Sequence, residues 1–208
     1  MNGIDFNDSL NKQQLTAVNC DEGNKLVLAG AGSGKTRVLT YRVAKLINDF
    51  NVRPSDILAL TFTNKASREM KERIESLLRI SSQGLWFGTF HGVCRRILKI
   101  HWKEAELSER FTILDSQDQL RLVKRIIKTN NLDEKLYDAK SIQSFINRKK
   151  DNGIRSNQTS DKDDEVYILV YKEYESILKQ TFSVDFADLI LKTYELLLNH
   201  ENILSYYV

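Results

Sequence analysis

The sequence predicts an α/β fold, in which a parallel β-sheet with crossover helices carries an inserted α-helical subdomain. Three short, almost continuously apolar runs, at Lys25–Ala29, Ile57–Phe62 and Leu85–Thr89, are typical of strands buried on both faces of a parallel sheet. Helical patterns follow each run, the second of them beginning at Asn64 with Met70 and Ile74 on one face. This alternation favours strands joined by right-handed crossovers.

The second half of the chain is predicted to be helical from about residue 110 to 182. Ser116–Gln119 has the spacing of a capping box, and Asp185 is predicted to cap a last helix. Residues 151–165 are polar and are interpreted as a mobile surface loop. Three helical stripes of apolar residues support this prediction, and they comprise Leu120, Val123 and Ile127, then Ile142, Phe145 and Ile146, then Val166, Leu169, Val170, Tyr174, Ile177 and Leu178.

Composition indicates a soluble globular protein of 208 residues, with 41% hydrophobic and 28% charged residues. No apolar run approaches the roughly 20 residues of a membrane-spanning helix, and the polar N-terminus does not resemble a signal peptide. Cys20 and Cys94 are far apart and have no metal-ligand spacing with histidines. Reduced thiols in a cytoplasmic protein without structural zinc are therefore expected.

Net charge is +3, which is too small to indicate nucleic acid by itself. Basic residues cluster within 65–73, within 95–103 and at Arg148–Lys150. For any one cluster the solvated face of a helix is the favoured interpretation. Glutamates are interleaved in the first cluster, which favours that interpretation there.

The strongest chemical signal is Ala29–Thr36, with the sequence AGAGSGKT, between a predicted strand and a predicted helix. Glycines let such a loop curl so that successive N–H groups point at phosphates, and the following helix N-terminus favours anions. Lys35 is predicted to contact the β- and γ-phosphates of a bound nucleoside triphosphate, and the Thr36 hydroxyl to ligate Mg²⁺. The strict pattern has glycine where this chain has Ala29, and a small residue suffices there.

Four further blocks around this loop resemble the Rep/UvrD/PcrA family of superfamily 1A DNA helicases. Leu10–Gln14 (LNKQQ) resembles the Q motif, and Thr61–Ala66 (TFTNKA) resembles motif Ia. Thr89–His91 (TFH) resembles motif Ib, and Val184–Leu189 (VDFADL) resembles the DFDDL motif, with alanine where an aspartate is common. Each block is weak alone, but their joint order around a phosphate loop is highly specific.

The resemblance implies a role for each site residue. Gln14 would read the adenine edge, and Arg37 would stack on the adenine face. Phe62 would be a stacking platform for single-stranded DNA, while Thr63, Asn64, Thr89 and His91 would lie against the DNA. The implied nucleotide site comprises Gln14, Ala29, Gly30, Ala31, Gly32, Ser33, Gly34, Lys35, Thr36 and Arg37.

Structural alternatives remain open for several of these residues. Phe62 can belong to the core, and the threonines can simply cap helices. His91 alone would more often be a structural histidine. Asp185 and Asp188 are equally well explained as acids at a helix N-terminus.

By the resemblance, residues 1–109 belong to a RecA-like P-loop motor domain (1A), 110–182 to the helical subdomain 1B, and 183–208 to 1A again. The family's Walker B block, DExQD, does not follow, so the chain is interpreted as an N-terminal fragment. The implied parent is an ATP-dependent 3′→5′ DNA helicase that translocates on single-stranded DNA. Its partners would be single-stranded DNA, junctions with duplex, and its own domains 2A and 2B, without any membrane.

The fragment itself is expected to bind Mg·ATP and single-stranded DNA without turnover. A non-catalytic ATP- or DNA-binding regulatory module is the alternative. A small-molecule kinase is disfavoured by the TFTNKA and TFH blocks, since a phosphate loop alone does not choose among nucleotide-binding functions.

Overall fold

The structure is a computed structural model that describes residues 9–20, 23–79, 84–160 and 162–208. The chain divides into two compact units between Val93 and Cys94, and each unit is described by itself. Over the described ranges the protein is a mixed α/β structure with small parallel sheets and many helices, as the sequence predicts. In these ranges, every helix is too short or too polar to cross a membrane.

The sheet of the first unit consists of β1 (Leu58–Thr61) and β2 (Trp86–Thr89), which pair in parallel. Both strands confirm predicted apolar runs, and no end of a strand differs from its predicted run by more than one residue. Because parallel strands need a crossover, α3 (Asn64–Leu78) connects them. The core beside this pair is formed by Val43, Ile57, Ala59, Met70, Ile74 and Leu85.

Three further helices have residues in the first unit. The first is α1 (Lys12–Val18), and the second is α2 (Lys35–Asn48), which begins directly after the glycine-rich loop. The third, α4 (Phe90–Ile100), starts where β2 ends and continues past the division between the units. All the helices predicted for the first half are therefore present.

The predicted strand at Lys25–Ala29 is wrong. Residues 24–30 have no regular secondary structure, and Leu26 and Leu28 are 84% and 86% exposed. An apolar run becomes a strand only where a neighbouring strand pairs with its backbone. In the described residues β1 and β2 pair only with each other, so this run has no strand beside it.

The second unit is mostly helical, with one small parallel pair of strands, β3 (Thr112–Ile113) and β4 (Ser183–Val184). The sequence did not predict these two strands, because two residues are too few to show a period. Four of its helices match the prediction, and they are α5 (Ser116–Thr129), α6 (Ala139–Asp151), α7 (Glu165–Gln180) and α8 (Phe186–Asn199). The short helix α9 (Glu201–Tyr207) was not predicted.

Aromatic side chains organise the core that α5, α6 and α7 share. Phe145 meets Tyr167 and Tyr171 edge to face, at ring-centroid distances of 5.4 and 6.4 Å. Tyr171 and Tyr174 are buried, and the Tyr171 hydroxyl donates to the carbonyl oxygen of Ile154. Burying one such side chain stabilises a fold by roughly 1.5–3 kcal/mol, so these residues hold α6 and α7 together. The same core includes Val123, Ile126 and Ile127 of α5.

Two details predicted for the second unit are wrong. The N-cap of α5 is Asp115 rather than Ser116, because its carboxylate accepts from the backbone N–H groups of Gln117 and Asp118. Residues 151–165 are not simply a surface loop either. Ser156 is buried and the Arg155 side chain is only 19% exposed, because both contact acidic side chains of α7 or α8.

Candidate functional site

The glycine-rich loop leads directly into the N-terminus of α2. Gly32 and Gly34 have φ angles of 74° and 86°, in the left-handed region that favours glycine. Gly34 is the N-cap of α2 and offers no side chain to the helix. The first N–H groups of a helix have no partner within it. Together with the helix dipole, these amides therefore make an electropositive end suited to phosphate oxygens.

The Lys35 side chain folds back over the loop. Its Nζ donates to the carbonyl oxygens of Ala29, at 3.0 Å, and Gly30, at 2.7 Å. The Ser33 hydroxyl donates to the same Gly30 oxygen at 2.7 Å. The ammonium charge is thus held against the loop. Among the described residues the Thr36 hydroxyl has no hydrogen-bond partner, although the Thr36 carbonyl accepts from Thr40.

Gln14 joins α1 to this loop. Its side-chain oxygen accepts from the N–H of Asn11, whose own side chain accepts from the N–H of Gln14, and this reciprocal pair caps α1. The Gln14 amide nitrogen donates to the Ser33 carbonyl at 3.0 Å. A Cβ atom at Gly34 would lie 2.8 Å from that nitrogen, so glycine there permits the contact.

Arg37 is exposed and lines a groove of about 600 Å³ between α2 and α3. Its guanidinium carbon lies 5.9 Å from the ring centroid of Tyr41. Glu69, Glu72 and Arg73 are among the other lining residues. The structure therefore leaves one face of Arg37 accessible beside the loop, as a stacking role on a planar base would require.

The residues resembling motifs Ia and Ib lie at the same end of the sheet. Thr61 is the register partner of Thr89, and each is the last residue of its strand. Thr63 caps α3 by accepting from Ala66, and Thr89 accepts from Gly92, both through their hydroxyls. Both threonines therefore stabilise helix N-termini, which is compatible with holding phosphates there.

Phe62 is 95% exposed, so it does not belong to the core. It follows β1 immediately, and the neighbouring Asn64 begins α3. His91 lies in the first turn of α4 and is partly buried. An almost completely exposed phenylalanine at a strand end offers its ring face to a flat partner such as a nucleobase.

Asp185 and Asp188 lie in a group of charges that we call the α8 ion cluster, comprising Lys150, Arg155, Asp185, Asp188 and Glu195. Lys150 and the two aspartates are buried, while Arg155 and Glu195 are partly exposed. Lys150 Nζ lies 2.7 Å from a carboxylate oxygen of each aspartate. Arg155 contacts Asp188 at 2.8 Å and binds both Glu195 oxygens at 2.6 Å. The two aspartates therefore have a structural role in α8, which is one of the two roles the sequence left open.

The interpretation of the basic run Arg148–Lys150 as the solvated face of a helix is wrong for Lys150, whose side chain is completely buried. A signal for this burial exists in the sequence. Ile142 and Ile146 belong to the buried stripe of α6, and a further step of four residues reaches Lys150. A lysine on a buried stripe requires an acidic partner, which Asp185 and Asp188 provide.

Burial of Asp188 by itself would raise its pKa, but Lys150 and Arg155 outweigh burial and hold the pKa below its ordinary value. The unfolded-state pKa is about 3.9. The ionised cluster therefore stabilises the fold above that pH, and the stabilisation is lost as pH falls toward the folded-state pKa. We expect the free energy of unfolding to decrease between about pH 5 and 3, measured by urea denaturation.

Asp188→Asn should reduce the decrease of the free energy of unfolding between about pH 5 and 3, because the titrating group is removed. Asp56→Asn is the matched control. Arg53 also holds the pKa of Asp56 below its ordinary value, but this pair is exposed and screened by water, so its loss should change the acid dependence much less. If the free energy of unfolding fell equally with pH in the wild type and Asp188→Asn, the cluster would not be the cause of the pH dependence.

The parallel sheet and the sequence AGAGSGKT at a helix N-terminus place the chain in the class of α/β proteins with a phosphate-loop sequence. The sequence profile of the UvrD/REP helicase N-terminal domain matches residues 10–208. This chain belongs to that family, which confirms the resemblance found in the sequence.

The names of similar proteins support this family membership. The chain is 47% identical over 203 residues to DNA helicase II of Escherichia coli (strain K12), covering 96% of this chain and 28% of that protein. It is 43% identical over 202 residues to the ATP-dependent DNA helicase PcrA of Bacillus subtilis (strain 168), covering 95% and 27%. The chain thus spans less than a third of the length of these relatives.

Proposed function

We propose that this chain is the ATP-binding first motor-domain portion of an ATP-dependent DNA helicase that translocates 3′→5′ on single-stranded DNA. The observation that carries the ATP-binding part of this proposal is Lys35, held over a loop whose glycines open onto the N-terminus of α2. Family membership supports it, and a relative that aligns with 96% of this chain is named a DNA helicase. The domain boundaries at about residues 109 and 182 are part of the proposal.

The nucleotide in this proposal is ATP with Mg²⁺. The phosphates would lie against the backbone amides of residues 30–36, and Lys35 would exchange its two carbonyl partners for the β- and γ-phosphate oxygens. Thr36 would supply one Mg²⁺ ligand. Gln14 and Arg37 would contact the adenine edge and face.

The loop has little capacity to hold the metal alone. In the part of the chain that the structure describes, no group of three or more His, Cys, Asp or Glu side chains is placed to bind a metal ion. Mg²⁺ prefers oxygen ligands and keeps several waters. Metal binding should therefore depend on the nucleotide phosphates, which bring the remaining oxygens.

Lys35→Ala tests the nucleotide site. We expect a loss of about 1.5–3 kcal/mol in the free energy of Mg·ATP binding, because a charge-assisted contact is removed. Titration calorimetry gives the affinity directly. Lys45→Ala is the matched control, since Lys45 lies in the last turn of the same helix. Equal affinities in the wild type and Lys35→Ala would exclude the loop as the binding site.

Single-stranded DNA would lie across the strand ends that carry the two motifs. Phe62 would stack on a base, while the helix N-termini after Thr63 and Thr89 would hold phosphates with Asn64 and His91. Few full charges take part in these contacts. We therefore expect weak binding with a shallow salt dependence.

Phe62→Ala tests the DNA contact. Stacking on one base is worth about 1–3 kcal/mol, so the affinity for oligo(dT) should fall by that amount in fluorescence anisotropy. The salt dependence should not change, because no charge is removed. Phe50→Ala is a suitable control, since Phe50 is also exposed in the first unit but lies outside the motifs. An unchanged oligo(dT) affinity in folded Phe62→Ala would exclude stacking.

A further inference from the structure

Tyr41 is a buried aromatic residue that α2 places beside Arg37. Its side chain is 8% exposed, and it follows Arg37 by four residues on the same helix, so the two lie on one face. The Arg37 guanidinium carbon lies 5.9 Å from the centroid of the Tyr41 ring, within the roughly 6 Å over which an aromatic ring attracts a cation. This contact restricts the directions in which the exposed Arg37 side chain can point.

Tyr41 also packs against the segment that carries Gln14. It forms a small buried cluster with Leu10 and Val18, in which α1 packs on α2. A helix of seven residues is too short to be stable by itself, so α1 depends on this packing for its position. Because Gln14 lies in α1, the packing of Tyr41 also determines where the Gln14 amide lies.

The phosphate loop has a different support. Lys35 Nζ donates to the carbonyl oxygens of Ala29 and Gly30, and the loop turns through the left-handed residues Gly32 and Gly34. Tyr41 takes no part in these contacts. The residues assigned to the base therefore rest on Tyr41, whereas those assigned to the phosphates rest on the loop itself.

We propose that Tyr41 is the positioning residue for the adenine base, because it holds Arg37 and α1 in place before ATP binds. This role rests on the proposed ATP site and deepens it, since Tyr41 acts through Arg37 and Gln14 rather than by contact with the nucleotide. A long arginine side chain that is already held loses less conformational entropy when a base stacks on it. Loss of the Tyr41 ring should therefore weaken base-dependent affinity and leave phosphate-dependent affinity intact.

The test compares variants of the 208-residue chain. Tyr41→Leu removes the ring but keeps an apolar side chain in the cluster, whereas Tyr41→Phe keeps the ring. Val43→Ala is the matched control, because Val43 is buried in a different core cluster on another face of α2. Circular dichroism and thermal unfolding establish that each variant is folded. Tyr41→Met, which is also apolar and of similar volume, takes the place of Tyr41→Leu if that variant does not fold.

Titration calorimetry measures the affinity of each protein for Mg·ATP and for Mg·tripolyphosphate, which has the phosphate chain but neither base nor ribose. We expect Tyr41→Leu to lose about threefold to tenfold in ATP affinity, because the contact with Arg37 alone accounts for about twofold to fivefold and a looser α1 adds to it. Its affinity for tripolyphosphate should stay within about twofold of the wild type, because the loop supplies those contacts. Tyr41→Phe should resemble the wild type with both ligands, and Val43→Ala should change both affinities by the same factor.

A second comparison tests whether Tyr41 acts through Arg37. In the Arg37→Ala background there is no guanidinium for the ring to hold, so Tyr41→Leu should reduce ATP affinity by a smaller factor than it does in the wild type. A residue with a purely structural role would give the same factor in both backgrounds, because independent effects add in free energy.

Four results would overturn the assignment of Tyr41. ATP affinity of Tyr41→Leu within about twofold of the wild type would leave the ring without a role in base recognition. An equal loss for tripolyphosphate, or the same factor in the Arg37→Ala background, would make the role purely structural. An equally weak Tyr41→Phe would assign the effect to the hydroxyl.

Failure of the proposed function gives a different result. In that case the wild type and Lys35→Ala would bind Mg·ATP and Mg·tripolyphosphate equally, or bind neither, and the role of Tyr41 would fall with the site. If only the role of Tyr41 is wrong, binding of both ligands that depends on Lys35 remains.

Discussion

Lys150→Met should destabilise the second unit by about 3–5 kcal/mol. Lys150 is the only cation that contacts Asp185 in the α8 ion cluster, and it also contacts Asp188. Removing one partner of a buried ion pair leaves the other charge buried without compensation. The Tyr174 hydroxyl, which donates to Asp185 at 2.8 Å, cannot replace a full positive charge. Urea unfolding at neutral pH, followed by circular dichroism, measures this loss.

Lys149→Met is the matched control for that experiment. Lys149 is the adjacent residue, and its ion pair with Asp163 is partly accessible to water. We expect its loss to cost about 1 kcal/mol or less. Unfolding free energies of the wild type and Lys150→Met within 0.5 kcal/mol, roughly the scatter of ordinary surface substitutions, would show that the cluster does not hold the helices together.

The second large effect concerns turnover. We expect the 208-residue chain to hydrolyse ATP at least about 10³-fold more slowly than full-length DNA helicase II of Escherichia coli. An arginine that neutralises the transition state is by itself worth that factor or more. In the described residues around the loop, only Lys35 supplies a cation in contact with it. The chain spans 28% of that relative, and we attribute the remaining catalytic groups to the other parts of such a protein.

Steady-state phosphate release, with and without oligo(dT), measures this turnover. Lys35→Ala provides the background for contaminating phosphatases, because any activity that survives the substitution does not come from the loop. Release that depends on Lys35, is stimulated by DNA and approaches the rate of the full-length enzyme would contradict the expectation.

Helices were the most predictable elements from the sequence. A stripe such as Ile142, Phe145 and Ile146 reports burial on one side of α6, and this burial is what holds the helix in place. Strands were less predictable, because a strand also depends on its neighbours. The strands ending at Thr61 and Thr89 pair with each other, whereas the equally apolar run at Lys25–Ala29 has no strand beside it.

In the candidate site, too, local features were predictable from the sequence and long-range contacts were not. The phosphate loop and both motifs were apparent from the sequence, because short-range spacing encodes them. The position of Gln14 against Ser33 was not, because that contact joins residues nineteen positions apart. Arg155 looked like part of a polar loop, and only the fold brings it to Asp188 and Glu195.

Hydrogen exchange of the wild-type chain with and without Mg·ATP tests the central claim most directly. The account predicts that ATP slows exchange at the backbone amides of residues 30–37, because these N–H groups would donate to phosphates. Protection should require Mg²⁺ and disappear in Lys35→Ala at the same ATP concentration. Unchanged exchange across residues 30–37 at saturating Mg·ATP, or protection confined to another part of the chain, would contradict the assignment of the nucleotide site.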